Sequence, residues 1–331
     1  MIINARDVET VLSSVKCITF VGVIMSKLFI VQSEKVRKVI KQLIRNESLT
    51  LAINDPEIQL IYEIKGRFCK KITTFVVLSM CVCSSSFIGD GIYRSVDFYK
   101  RHPNATISTA KPLPVEWWFP YKNEYYKTAL FFQLLHIAQA TIYNVSVQPL
   151  VLAVMIFLKA KLRILQYRIR NIEPVATSEN VLKQLIKEHQ ELIWLHGEFN
   201  ASFQYIVLAE YCATSLTLAF SFIELLQGQR ILFHLLFIGY ISIQLFTLAW
   251  NANEILLESS VGLAEALYES PWYQMDKTSK ILIHIMLMRC KKPLTIFIGP
   301  FGYMDLDAAV SRMKLAYSVV SVFFYKSIII N

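Results

Sequence analysis

Glycine is scarce in this chain, ten residues among 331. Phosphate-cradling loops need several close together, and neither GxGxxG nor GxxxxGK[ST] occurs, so nucleotide sites of those kinds are excluded. HExxH is also missing, which removes the helical zinc-protease arrangement. The six cysteines, Cys17, Cys69, Cys81, Cys83, Cys212 and Cys290, are scattered. They show neither the paired spacing of a zinc site nor the density of a disulfide scaffold, and read mostly as small buried hydrophobes. No metal, no cofactor and no catalytic residue is expected. Charge is scarce too: 18% of residues are ionic, against about a quarter in a soluble domain. With 54% hydrophobic residues and a mean hydropathy of +0.42, this is membrane composition. The net charge of +9 does not mark a nucleic-acid partner, because the cations gather between apolar runs rather than on one solvated face.

What is present is a series of long apolar stretches. Crossing about 30 Å of hydrocarbon takes roughly 20 apolar residues in a helix, since the backbone has only itself to bond to. Six candidate spans appear, at about 11–32, 72–92, 127–158, 203–226, 231–251 and 306–328. The expected fold class is therefore all-α, a polytopic membrane protein forming a single transmembrane domain over 1–331. The fifth span, ILFHLLFIGYISIQLFTLAW, is uncharged; the first carries Lys16 and Lys27, the last Arg312 and Lys314. The third contains Gln133, His136, Gln139, Asn144, Gln148 and Pro149, so its polar side is expected to face protein or a watery cavity.

Orientation follows from the connectors. Segments 33–71, 159–202 and 252–300 are rich in Lys and Arg, which places them in the cytoplasm. The 93–126 loop then lies outside, and it contains the glycosylation sequon Asn104-Ala105-Thr106. The same loop contains KPLPVEWWFPY, where Pro112, Pro114 and Pro120 forbid helix and sheet while Trp117, Trp118, Phe119 and Tyr121 supply amphipathic rings. Such rings concentrate where hydrocarbon meets headgroups. The stretch reads as a rigid interfacial anchor, either a packed loop and nothing more or a lid over a cavity between the outer helix ends.

Helical periodicity continues beyond the bilayer. In TSENVLKQLIKEHQELIWLHGEF, Thr177 or Ser178 can cap the start, and Leu182, Leu185, His189, Leu192, His196 and Phe199 recur on one face. That face needs a partner, from this chain or from a neighbouring subunit. In the last span, Ser311, Lys314, Ser318 and Ser321 step by three, four and three along one side. A Ser and Ala stripe commonly means close helix packing; a pore is the other reading, and the nearby charges of Arg312 and Lys314 sit comfortably only near water.

Taken in order, these segments resemble the insect odorant receptor family over nearly the whole length. The similarity rests on LPVEWWFPY with the polar-dotted span after it, HQELIWL, WNANEILLESSVGLAEALYESPWYQM, and ILIHIMLMRCKKPLTIFIGPFGYMDLDAAVSRMKLAYSVVSVFF. Two departures stand out. The family has seven spans and a cytoplasmic N-terminus, whereas six are visible here, residues 11–47 looking like the family's second span with its basic extension. Near the end the family commonly reads Thr-Ser-Tyr-Ser, where this chain has Leu315-Ala316-Tyr317-Ser318.

The resemblance implies a ligand-gated, non-selective cation channel in which a tuning subunit joins a shared odorant receptor co-receptor subunit, as a heterotetramer in the plasma membrane of a sensory-neuron dendrite. It also implies that the stripe of Ser311, Lys314, Ser318 and Ser321 lines the pore, and that small volatile odorants bind among the outer helix halves. There the candidates are Phe20, Phe87, Tyr93, Phe131, Phe132, His136, Tyr143, Phe233, His234 and Phe237. A gustatory-type chemoreceptor channel is the nearest alternative. A G-protein-coupled receptor lacks support, since no DRY-like or NPxxY sequence occurs, and no internal repeat suggests a transporter.

Overall fold

The computed structural model describes residues 18, 21–102, 113, 124–173, 178–228 and 230–330. The described chain is almost entirely helical, with one isolated bridge, Phe297 to Tyr303, as its sole extended pairing. In chain order the helices are α1 (Val21–Val31), α2 (Glu34–Leu51), α3 (Pro56–Arg101), α4 (Tyr126–Arg170), α5 (Ser178–Leu226), α6 (Ile231–Leu257), α7 (Leu263–Glu269), α8 (Lys277–Cys290) and α9 (Leu306–Ile330). Four helical stretches among the described residues are long and apolar enough to cross a membrane: Pro56–Arg101, Tyr126–Arg170, Glu179–Leu226 and Ile231–Glu269. They contain the second to fifth expected spans. The sixth coincides with α9, and α1 is the described part of the first.

The helix ends follow local chemistry. Ser33 caps α2 by accepting from the Val36 amide. Asp55 accepts from the Glu57 and Ile58 amides just before Pro56, a residue pre-set for the first helical position. Asp276 caps α8 in the same way, through the Thr278 and Ser279 amides. With 46 residues, α3 is about 69 Å long at the usual helical rise, more than twice the hydrocarbon thickness. Helices of this length carry the fold well past the membrane.

Burial sorts the spans. The most apolar window of α3 is 17% buried and leaves Phe75, Leu78 and Val82 facing outward, whereas those of α4 and α5 are 56% buried. The stretch Val151–Ala160 of α4 is buried on nearly every side, as a helix apolar all round must be. The cysteines divide similarly. Cys83 and Cys290 are buried, but Cys81 and Cys212 are exposed and Cys69 is half-buried, so the reading of the cysteines as mostly buried holds for only part of the set.

The basic connectors fold into a helical layer beyond the spans. Leu182, Leu185, His189, Leu192, His196 and Phe199 of α5 are all buried within this one chain, so the partner for that face is the chain itself. Between α6 and α7 the helix widens to a π-turn at Glu258–Gly262. Arg163 pairs with Glu258 at 2.5 Å, and Gln166 donates to the Glu258 carbonyl at 2.8 Å and its carboxylate at 2.9 Å. A Cβ on Gly262 would stand 2.7 Å from the Gln166 amide nitrogen, so a larger residue there would push the Gln166 side chain from its seat on Glu258. Asn200 ties the α8–α9 connection to α5, donating to the Thr295 carbonyl at 2.6 Å and accepting from the Phe297 amide at 3.2 Å.

Burial pushes the imidazoles of His189 and His196 down to about 4, and the Arg289 cation adds to the effect. Both are neutral in the fold, while in the unfolded chain each binds a proton below about pH 6.5. The unfolded state therefore holds more protons between those values, and stability falls as pH drops through that window. Acidification from about pH 7 to about pH 4.5 is expected to cost about 2 kcal/mol per histidine, read as a falling unfolding temperature in detergent. His189→Leu should flatten that slope.

Candidate functional site

Charged and amide side chains meet at membrane depth where α1, α4, α5 and α6 converge. Lys27 on α1 forms a buried ion pair with Glu210 on α5 and donates to the Asn144 amide oxygen on α4 at 2.7 Å. Asn144 in turn donates to the Tyr240 hydroxyl on α6 at 2.9 Å. Gln244, one turn further along α6, donates to the Glu210 carboxylate at 3.2 Å. Each group is satisfied by another helix, which is what hydrocarbon surroundings require.

These residues border a void of about 40 Å³, lined elsewhere by Val23, Ile24, Ala213, Thr217 and Phe237. That is room for a few water molecules, not for an odorant-sized body. A second void of about 10 Å³ adjoins it, and the two share Glu210, Thr214, Ile241 and Gln244. Arg312 of α9 borders the second, its guanidinium 3.5 Å from the centre of the Tyr211 ring and donating to the Thr214 hydroxyl at 2.9 Å.

Outward from the larger void runs an aromatic column. Phe237 stacks on Phe233 with ring centres 5.4 Å apart, and Phe233 meets Phe87 of α3 at 4.7 Å and His234 at 5.0 Å. Arg230 lies over Phe87 and pairs with Asp90 at 3.1 Å, the same carboxylate oxygen that Arg94 grips at 2.9 Å. Glu224 pairs with His234 at 3.2 Å.

Of the ligand candidates, Phe87, Phe233, His234 and Phe237 are thus brought together. The structure does not bring Tyr93, Phe131 and Phe132 to them; all three lie on exposed faces. His136 and Tyr143 are half-buried, and Tyr143 accepts from Gln139 at 2.8 Å on an exposed side. Phe20, Asn104, Trp117, Trp118, Phe119 and Tyr121 lie outside the described residues. Lys27 and Glu210 were missed as site residues. Lys27 did stand out as a charge within an apolar span, and a charge at that depth asks for a partner.

On α9, Ser311, Lys314, Ser318 and Ser321 are all exposed, while Ala309, Arg312, Ala316 and Val320 are buried against the bundle. Ser318 and Ser321 return their hydroxyls to the carbonyls of Lys314 and Tyr317, each at 3.0 Å. The helix therefore turns its hydroxyl face away from its own chain.

Spans that extend into a further helical layer, with an internal polar seam, define a multi-pass membrane protein. The family model described as 7tm Odorant receptor matches residues 7–317, and the chain belongs to that family, one of receptors rather than enzymes. Odorant receptor 10 of Aedes albopictus is 29% identical over 138 residues, 41% of this chain and 36% of that protein. Odorant receptor 30a of Drosophila melanogaster is 23% identical over 275 residues, 81% of this chain and 70% of the relative. The matched part is therefore little more than a third of the Aedes relative's length. The fold is similar to that of the insect olfactory receptor OR5 from Machilis hrabei, solved in complex with eugenol. The TM-score is 0.79 at 15% identity, covering 96% of this chain and 82% of that one.

Replacing Asn144 with Leu leaves the Tyr240 hydroxyl and one Lys27 hydrogen unbonded at depth. Asn144→Leu is expected to cost about 1–3 kcal/mol, seen as a lower unfolding temperature of the purified protein; an unmoved midpoint would contradict the network.

Proposed function

We propose that the chain is a tuning subunit that binds small volatile odorants and gates a non-selective cation channel together with a shared co-receptor subunit, as a heterotetramer in the plasma membrane of sensory dendrites. The observation that carries this reading is the orientation of α9. Its hydroxyl stripe faces away from the bundle, where neighbouring subunits would close a water-filled path, and the opposite face, with Ala309, Arg312, Ala316 and Val320, packs on α5 and α6. Family membership and the resemblance to a receptor solved with eugenol support a small aromatic or aliphatic ligand.

The ligand site in this reading is the void below the aromatic column. A ligand of about ten heavy atoms must be nearly fully enclosed to reach micromolar affinity, so binding requires Phe237 and Phe233 to swing aside and join the void to the space they fill. The ligand opens the channel only by binding the open state better, by several kcal/mol for a large shift in population.

Co-expression with the co-receptor in a cell lacking both is expected to give odour-evoked cation current. Ser318→Trp should block it or change its ion selectivity, and Phe237→Trp, which fills the void, should raise the half-maximal odorant concentration. Surface-expressed wild-type complexes that stay silent across a broad volatile panel would refute the channel reading, and unchanged permeation in Ser318→Trp would remove that residue from the conduction path.

A further inference from the structure

Glu210 is the sole carboxylate bordering either void among the described residues, and it borders both. Lys27 reaches it from the larger void, and Arg312 faces the smaller one from α9. Three buried charges thus share one seam, two positive and one negative. Arg312 makes no ion pair with Glu210 within 4 Å; it is seated on Tyr211 and Thr214, on the same helix as the carboxylate, and its Nε has no partner among the described residues. At such depth the effective dielectric is low, and one charge on Glu210 governs both cations.

We propose that Glu210 is the coupling residue between the ligand void and α9: its carboxylate, paired with Lys27 and acting on Arg312 across the smaller void, sets how firmly α9 rests against the bundle. The inference builds on the reading of α9 as the pore-facing helix. Arg312 lies on the buried side of α9, and Ser311, Lys314 and Ser318 on the exposed side, so a shift of the Arg312 seat turns the hydroxyl face. Occupation of the larger void acts through the same balance, by moving Lys27 relative to Glu210.

The charge arithmetic gives opposite signs for two substitutions. Glu210→Gln leaves Lys27 and Arg312 as unshared cations about one seam, and their repulsion loosens α9. Lys27→Met leaves Glu210 with Arg312 as its sole cation, and α9 is held more tightly. A role confined to holding the helices together has no such asymmetry, since both substitutions break the same ion pair and both weaken the fold.

Two readouts test this in the full complex with the co-receptor, each variant first matched for surface expression. In whole-cell recording, Glu210→Gln is expected to raise the ligand-independent share of the maximal current by about fivefold or more, the lower end of ordinary coupling between sites. Lys27→Met should raise the half-maximal odorant concentration by a similar factor, and Glu210→Asp should return both properties toward wild type. In the second readout, Ser318→Cys is labelled without odorant by a membrane-impermeant maleimide, corrected for the chain without the added cysteine. Labelling should be faster with Glu210→Gln and slower with Lys27→Met. Shifts in the same direction, or none, overturn the proposal. A silent wild-type complex at the cell surface refutes the channel reading instead, and the labelling arm alone then decides for or against the role of Glu210.

Discussion

Hydrocarbon offers no hydrogen bonds, and every polar group the sequence carries into the membrane must find its partner inside the bundle. Lys27, Asn144, Glu210, Tyr240 and Gln244 meet that demand through one another, and in doing so tie α1, α4, α5 and α6 at a common depth. Removing one partner of such a buried pair costs far more than the pair contributes, because the remaining charge is left without compensation. The network fixes which faces of four helices point inward. The lipid-facing aromatics and the position of the void follow from that choice.

The helical layer beyond the spans answers a different demand. Once α4 and α5 leave the bilayer their apolar faces would meet water, and these are covered by α2, α7, α8 and the α8–α9 connection, while α3 keeps Leu60, Ile64 and Phe68 exposed. Packing there is set by close approaches such as Gly262 against Gln166 and by Asn200 holding the Thr295–Phe297 backbone. α9 begins at Leu306, a short connection after that clamp.

Much of this architecture was legible in the residues. Long apolar runs gave the spans, the Lys and Arg connectors gave the topology expected for them, and the spacing of Leu182, Leu185, His189, Leu192, His196 and Phe199 foretold the buried face of α5. The polar stripe of α9 was legible for the same reason, since period alone puts Ser311, Lys314, Ser318 and Ser321 on one side. Pairing between distant helices was not. Nothing in the surroundings of Glu210 in sequence points to Lys27, because their meeting depends on how α1 is rotated against α5. The aromatic candidates divided on the same ground: Phe233 and Phe237 turn inward with His234, whereas Phe131, Phe132 and Tyr93 turn outward, and an apolar helix has no periodic contrast to say which.

All of this depends on helices that pass through a bilayer with the basic connectors on one side. The most direct measurement places a cysteine at Glu124, before α4, or at Glu179, at the start of α5, in intact cells treated with an impermeant thiol reagent. The fold described here requires label on Glu124→Cys and none on Glu179→Cys until the membrane is opened. Equal labelling of both positions in sealed cells would contradict it.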